Sequence, residues 1–299
     1  LLDEHFRSLP PVIQFSNNEF YGGRMRLMRP DSPTNKALEL VVVKDGKIDA
    51  LATRNLPEVE AVLERVQEII IEDEKKNSDN PVSIGIISPF RAQVEQLKAS
   101  LPKVVSEYMI KKHKIEIGTA HTFQGDERDI ILMSWAYAEN SFPQSLTFLQ
   151  KPNLFNVAIT RARYKMINFI SKDPRELPEG ILRSYLAFVK DYEEKFDRHE
   201  NNEIYPDTFK NNFEKEVFNA IKELGYDVRA GVEIAGYSLD ILVNGKIAIE
   251  CDGVEDNQRK STNNMKKQSI LERSGYEIRR ITFREWQYSK TACINRVLG

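Results

Sequence analysis

Residues 82–101 read VSIGIISPFRAQVEQLKASL, in which a short apolar run precedes an amphipathic segment. The run at 82–88 has the length and the β-branched content of a strand, whereas 91–101 carries apolar residues at helical spacing. The alternation continues, with strands predicted at 115–119, 130–135 and 166–170 and a helix at 153–162. Strands and helices that alternate at this spacing predict βαβ units and a parallel sheet.

The rest of the chain supplies a flanking helix and a second group of elements. An amphipathic segment at 57–76 is expected to pack on the sheet, and the aperiodic stretch 137–151 predicts a long loop. After 208 come a helix, three strands, a polar helix and a fourth strand, with Asn244-Gly245 predicting a two-residue hairpin turn. We therefore expect an α/β fold in three parts, which are a parallel-sheet domain at 1–172, a helical linker at 173–207 and a smaller domain at 208–299.

The bulk composition excludes several classes of protein. Lys and Arg number 43 against 45 Asp and Glu, so a polyanionic partner must be met by clustered positive charge. Cys251 and Cys293 lack metal-ligand spacing, which argues against a disulfide framework or a structural zinc. No apolar run approaches the roughly 20 residues of a membrane span, so a cytoplasmic protein is expected. The chain opens on Leu1 instead of Met, and we expect it to be part of a longer protein.

Two motifs in the first domain carry a resemblance to a known family. They are GTAHTFQGDE at 118–127 and NVAITRAR at 156–163, supported by HFRS at 5–8, FYGG at 20–23 and IGIISPF at 84–90. In this order they resemble the second RecA-like domain of superfamily 1 helicases, in the group that contains the RNA helicase of nonsense-mediated decay. The resemblance implies a RecA-like helicase lobe.

ATP hydrolysis between two RecA-like lobes needs positive charge at the γ-phosphate, and arginine suits this because it is always charged. The resemblance implies that Arg161 is this arginine finger and that Arg7 is a second γ-phosphate contact. It also implies that Glu127 accepts a hydrogen bond from the ribose, and that Gln124, beside Gly125, links the nucleotide to the grip on the strand. The alternative for Arg161 is a solvated charge on a helix surface.

The resemblance further implies that Ser88, Pro89 and Thr119 contact the backbone of a single strand. No GxxxxGK[ST] motif occurs in the chain, and no acidic Mg²⁺ motif precedes Arg7. This chain is therefore not expected to hydrolyse ATP by itself. The resemblance implies that ATP binds with Mg²⁺ in the full-length protein, where an N-terminal RecA-like lobe that is missing here supplies the phosphate cradle.

The last third of the chain carries a second resemblance. It rests on FEKEV at 213–217, GYSLD at 236–240, IAIECDG at 247–253 and LERSGY at 271–276. These stretches resemble the PD-(D/E)XK nuclease superfamily, in the branch similar to very short patch repair endonucleases. The resemblance implies a restriction-endonuclease-like α/β domain that cuts nucleic acid.

Phosphodiester hydrolysis needs carboxylates that hold Mg²⁺ or Mn²⁺, because a hard divalent cation neutralises the phosphate and lowers the pKa of an attacking water. Asp240 and Glu250 lie in two strands that a short hairpin joins, and pairing can bring them to one site. Glu250 interrupts an apolar strand, which costs free energy unless a metal or a partner compensates. We predict these two residues as the metal ligands, and each could instead be a surface residue or an ion-pair partner.

Further residues are expected to complete this site. Apolar residues follow Glu214 at helical spacing, so Glu214 is predicted on the buried face of its helix and Glu216 in solvent. The superfamily has a Lys two residues after the strand Glu, where this chain has Asp252, and Lys267 on the next helix is expected to supply the missing cation. The branch also has a His at a place held here by Asp256 or Asn257.

These features predict a DNA helicase–nuclease, with single-stranded or branched DNA as partner and RNA as an alternative. A set of basic residues could form a phosphate-binding face or simply the solvated side of a helix and strand: Arg259, Lys260, Lys266, Lys267, Arg273, Arg279 and Arg280. Two other functions stay open. One is a degenerate module that only binds nucleic acid, and the other is an RNA helicase whose last domain is a scaffold.

Overall fold

The computed structural model describes residues 4–30, 35–49, 53–76, 80–200, 209–253 and 261–299. Its strands are β1 (Glu4–His5), β2 (Arg26–Leu27), β3 (Leu38–Val42), β4 (Ile84–Ile87), β5 (Glu116–Gly118), β6 (Arg128–Ala138), β7 (Ala162–Ser171), β8 (Val228–Ile234), β9 (Tyr237–Val243), β10 (Ile247–Asp252) and β11 (Glu277–Thr282). Its α-helices are α1 (Pro10–Tyr21), α2 (Leu56–Lys75), α3 (Arg91–Val104), α4 (Glu107–Lys112), α5 (Pro143–Leu149), α6 (Pro152–Ile159), α7 (Ile181–Glu200), α8 (Asn212–Glu223), α9 (Ser261–Arg273), α10 (Phe283–Tyr288) and α11 (Lys290–Leu298).

The described residues form two compact units. The larger unit holds 11–23 and 35–200, and it is built on a five-stranded parallel sheet in the order β3-β7-β6-β4-β5. The parallel sheet predicted from the βαβ alternation is confirmed. The central strands are buried over most of their length because helices cover both faces, as parallel sheets require.

Each face of the larger sheet has its own packing. On one face α2 and α3 place Val62, Val66 and Leu97 against β4, β6 and β7. Helices α6 and α7 contribute Phe155 and Tyr185, whose ring centroids lie 5.2 and 6.1 Å from that of Trp135 in β6. The stretch predicted as a long loop instead contains the end of β6 and the short helix α5, which Pro143 begins.

The smaller unit holds the described residues 4–10, 24–30 and 209–299. Its sheet has the order β11-β10-β9-β8, with β10 and β11 parallel and the other neighbours antiparallel. Residues 244–246 connect β9 to β10, so the hairpin loop has one residue more than the predicted two-residue turn. Asn244 and Gly245 have φ of 49° and 65°, the positive φ that the Asn-Gly pair favours. Helices α8, α10 and α11 share one apolar cluster with the sheet, and residues of α9 belong to a second cluster.

The units differ from the domain boundaries expected from composition at residues 4–10, at residues 24–30 and at helix α7. Helix α7, expected within a linker, packs on β3 and buries Leu182 and Leu186 in the larger unit. Residues 24–30, expected in the first domain, contribute to the smaller unit, because Met28 is 1% exposed in its second apolar cluster and Leu27 accepts a hydrogen bond from the Ala235 amide.

Candidate functional site

Two acidic residues of the smaller sheet lie on neighbouring strands. Asp240 is in β9 and Glu250 in β10, one position beyond the antiparallel pair Ile241 and Ile249. The amide of Cys251 donates to Oδ2 of Asp240 at 2.9 Å, which fixes that carboxylate against the neighbouring strand. Asp240 is 7% exposed, so this carboxylate lies in the protein interior next to the strand that carries Glu250.

Each carboxylate accepts a hydrogen bond from a lysine ammonium. Lys210, which precedes α8, donates from Nζ to Oδ1 of Asp240 at 2.5 Å. Lys267 of α9 donates from Nζ to Oε1 of Glu250 at 2.6 Å and to the carbonyl oxygen of Ser238 at 2.6 Å. The structure thus brings Lys267 to the site where the sequence predicted it, and it adds Lys210, which the sequence analysis missed.

Glu214 approaches the same site from the first turn of α8. It is 2% exposed, and its Oε2 accepts from the Lys210 amide at 2.8 Å. The side chain of Asn211 caps this helix and donates from Nδ2 to Oε1 of Glu214 at 3.3 Å. The predicted burial of Glu214 is confirmed, whereas Glu216 is exposed and accepts from Lys290 and the indole of Trp286.

The electrostatics of this cluster favour a cation. Burial raises the pKa of Glu250, as does the charge of Asp240, while the hydrogen bond from Lys267 acts in the opposite direction. Burial likewise raises the pKa of Glu214, and the charges of Asp240 and Glu250 add to the rise. Burial alone would lower the pKa of Lys210, but its hydrogen bond to Asp240 and the surrounding negative charge leave that pKa raised. Three acidic groups therefore share one site, and positive charge stabilises their ionised forms.

Asp252, the residue that stands where the superfamily has a Lys, has a different partner. Its carboxylate accepts from the Arg280 guanidinium of β11 at 3.3 Å. Other members of the predicted basic face are also ion-paired, since Arg273 contacts Glu4 and Arg279 contacts Glu277. Lys266 is exposed on α9, whereas Arg259, Lys260 and the positions 256 and 257 lie outside the described residues.

The donor set of the acidic site fits a hard divalent cation. Mg²⁺ is commonly held by one or two carboxylates together with water and a substrate phosphate. Asp240 and Glu250 supply such a pair, and the two ammonium groups show that both carboxylates accept positive charge here. Within the described ranges no group of three or more His, Cys, Asp or Glu residues is placed to hold a metal ion. Water and phosphate oxygens would have to complete the coordination of an ion at this pair.

In the larger unit, the residues expected to contact a strand meet at one edge of the sheet. Ser88 and Pro89 follow β4, Thr119 follows β5, and the Ser88 amide donates to the carbonyl oxygen of Gly118 at 3.1 Å. Pro89 and Thr119 line an apolar cavity of about 40 Å³. Ser88 is fully buried, so the structure presents Pro89 and Thr119 at this edge and not the Ser88 side chain.

The residues expected to contact ATP lie at the opposite ends of the strands. Glu127 immediately precedes β6, and Arg161 immediately precedes β7, where its carbonyl oxygen accepts from the Arg128 amide at 3.1 Å. Glu127 accepts from Nε of Arg163 at 2.6 Å, and both line a cavity of about 690 Å³. The Arg161 side chain donates from Nε to the Val157 carbonyl oxygen at 3.0 Å.

Residues 119–127 connect the end of β5 to the start of β6, and so run from one edge of the sheet to the other. Gln124 and Gly125 are exposed in this stretch, and Gly125 has a φ of 87°, which favours glycine. The fully buried ring of Phe123 anchors the stretch in the larger unit. Arg7 belongs to the smaller unit, where it is exposed and its carbonyl oxygen accepts a hydrogen bond from Arg29.

Comparison with known protein families gives two matches along the chain. A family model described as AAA domain matches residues 1–173, which is more than half of the chain. The chain belongs to this AAA domain family. A second model, REase_MTES_1575, matches residues 213–299, so the AAA domain is followed by a region similar to restriction endonucleases.

The curated relatives of this AAA domain protein are helicases and related proteins. The regulator of nonsense transcripts 1 homolog of Drosophila melanogaster is 30% identical over 204 residues, which cover 64% of this chain and 17% of that protein. The DNA replication ATP-dependent helicase/nuclease DNA2 of Gallus gallus is 29% identical over 169 residues, 56% of this chain and 16% of that protein. Helicase SEN1 of Saccharomyces cerevisiae is 29% identical over 178 residues, 54% of this chain and 8% of that protein.

The chain thus spans less than a fifth of the length of each of these three relatives. The second RecA-like helicase lobe and the restriction-endonuclease-like domain that the sequence predicted are both supported at the level of family and fold. Across the described parts of the chain, no helix is long and apolar enough to span a membrane.

Proposed function

We propose that the chain is the C-terminal part of a DNA helicase–nuclease, and that its smaller unit hydrolyses phosphodiester bonds with Mg²⁺ or Mn²⁺. The observation that supports this most directly is the arrangement of Asp240, Glu250 and Lys267, two carboxylates on paired strands with an ammonium against one of them. The helicase/nuclease among the relatives and the endonuclease-like family match support the same reading.

In this proposal Asp240 and Glu250 hold the ion, which when bound neutralises the phosphate and lowers the pKa of a water. Lys267 keeps Glu250 in place, because its ammonium is held by the Ser238 carbonyl oxygen as well. Glu214 adds negative charge to the site from α8. In hydrolysis the water oxygen bonds to phosphorus and the water gives up a proton, while the bond from phosphorus to one sugar oxygen breaks and that oxygen takes up a proton. Asp252, which is ion-paired with Arg280, would support the metal site without holding the ion.

In the larger unit, Glu127, Arg161, Gln124 and Gly125 would face ATP–Mg²⁺ at one edge of the sheet, and a further lobe would supply the phosphate-binding loop that this sequence lacks. Pro89 and Thr119 would contact the strand at the other edge, where the Ser88 side chain is buried and its amide donates to Gly118. Hydrolysis between the lobes would then move DNA toward the nuclease.

The decisive experiment is cleavage of end-labelled single-stranded and double-stranded DNA with Mg²⁺, Mn²⁺ or EDTA. We expect metal-dependent cutting that Asp240→Ala and Glu250→Ala each abolish. Glu233→Ala removes an exposed acidic side chain from β8 and serves as the matched control that keeps activity. Cutting that survives both site variants, or that persists in EDTA, would contradict the proposed site.

Two observations favour a second candidate, a module that binds nucleic acid without cutting it. Both carboxylates already have lysine partners, and the superfamily Lys is replaced by Asp252, which is itself paired with Arg280. Binding of DNA in EDTA with no cleavage in any divalent ion would support this candidate. Because one relative is named for nonsense transcripts, competition between DNA and RNA of one sequence is the second test, and preference for RNA would contradict the DNA assignment.

A further inference from the structure

The two lysines of the acidic site are held in different ways. The Lys267 side chain is 16% exposed and its ammonium donates to two oxygens, one of which is the Ser238 backbone carbonyl. The Lys210 side chain is 61% exposed, and in the described parts of the chain its ammonium donates to Oδ1 of Asp240. Lys267 is therefore fixed by the fold, whereas Lys210 reaches the site from solvent.

The two oxygens of Asp240 also differ. Oδ2 accepts from the Cys251 amide at 2.9 Å, a hydrogen bond within the sheet that a ligand cannot replace without disturbing β9 and β10. Oδ1 faces Lys210 at 2.5 Å. An incoming cation therefore meets Asp240 at Oδ1, the oxygen that Lys210 occupies.

We infer that Lys210 is a displaceable counter-ion of the acidic site, which holds Asp240 in place without metal and leaves Oδ1 when a divalent cation binds. An ammonium and a divalent cation on one carboxylate oxygen repel each other, so both cannot stay there. Lys210 can leave at little cost because most of its side chain is already in solvent. Lys267 keeps its place beside Glu250. This inference rests on the proposed metal-dependent function.

The backbone of Lys210 is held in place, so that only its side chain has to move when a cation replaces the ammonium. Its amide donates to Oε2 of Glu214 at 2.8 Å, and the next residue, Asn211, caps α8. The main chain at this position is thus tied to the helix while the side chain extends to Asp240. Release of the ammonium requires rotation of the side chain and leaves the helix start unchanged.

The test is a titration of the 299-residue chain with Mn²⁺, in which the electron paramagnetic resonance signal reports the free Mn²⁺. This measurement needs neither DNA nor turnover. We expect Lys210→Met to bind Mn²⁺ about 2- to 5-fold more tightly than the wild type, the range expected for loss of an exposed ion pair that competes with the metal. Lys210→Arg retains the charge and should bind like the wild type. Lys215→Met removes an exposed charge from the same helix and should also leave the affinity unchanged.

The outcomes separate this inference from the proposed function. Equal Mn²⁺ affinity in the wild type and Lys210→Met, with binding lost in Asp240→Ala, would overturn the role of Lys210 and leave the metal site standing. An equal gain in Lys210→Met and Lys215→Met would also overturn it, because the effect would then be one of net charge. Absence of Mn²⁺ binding in the wild type and in Lys210→Met alike would overturn both proposals.

Discussion

Glu58 is a fully buried carboxylate in the first turn of α2, and its titration should control the stability of the larger unit. Its Oε1 accepts from the Ser134 hydroxyl and the Ala136 amide, both at 2.7 Å. Its Oε2 accepts from Asn55 at 3.2 Å and from Ser171 at 3.3 Å. All four donors are uncharged, and burial raises the pKa of Glu58 to about 7.

The direction of the pH effect follows from that shift. Because the pKa of Glu58 is raised on folding from 4.5 to about 7, the folded state holds this proton more tightly than the unfolded chain does. Its stabilising contribution is complete below about pH 4.5 and is lost as the pH rises through about 7. From about pH 5.5 to about pH 8 the larger unit should lose about 2 kcal/mol of unfolding free energy through this one group.

Urea unfolding at the two pH values measures this loss. The chain has two tryptophans, so a Trp286→Phe background leaves buried Trp135 as the fluorescent reporter of the larger unit. Glu58→Gln in that background keeps the shape of the side chain and removes the titration. We expect the Gln variant to lose about 2 kcal/mol less than its parent over this pH range. Parallel pH dependences in the two proteins would contradict this role of Glu58, because the effect would then come from other groups.

Two further substitutions test the smaller unit. Lys267→Met leaves the half-buried Glu250 without its ammonium partner and raises the pKa of Glu250 further. DNA cleavage should therefore fall by about 10-fold or more, and the acidic limb of its pH–rate profile should move to higher pH. An acidic limb at the same pH as in the wild type would contradict this. Thr282→Ala removes the capping box that Thr282 and Glu285 form at the start of α10 and should cost about 1 kcal/mol, measured by urea unfolding through Trp286 fluorescence. Thr282→Ser should keep most of that stability, and equal losses in the two variants would argue against the cap.

Local patterns in the sequence were sufficient for the parts of the fold that local chemistry determines. The β-branched runs predicted the parallel strands, and Asn244-Gly245 predicted the hairpin because its backbone needs positive φ at both residues. Helical spacing also separated buried Glu214 from exposed Glu216, since the apolar face of a helix is a local property.

Features that depend on contacts between distant segments were not predictable in this way. Lys210 meets Asp240 across 30 positions of sequence, and no periodicity marks a lysine that lies before a helix as part of a site. Glu58 stands among charged residues of an amphipathic helix, and its burial depends on Ser134 and Ser171, which the sheet brings to it. The motif predicts that Ser88 contacts a nucleic-acid strand, but its place after the buried strand β4 puts its side chain in the interior.

The contribution of residues 4–10 and 24–30 to the smaller unit makes the larger unit an insertion, in two pieces, within the smaller one along the chain. The described backbone passes between the units four times, at the junctions 10–11, 23–24, 30–35 and 200–209. Met28 is synthesised long before β9 and α9, whose residues share its apolar cluster. The smaller unit can therefore complete its core only after the last third of the chain has been made. A fragment that starts at 208 would lack Met28, one of the core side chains of this unit.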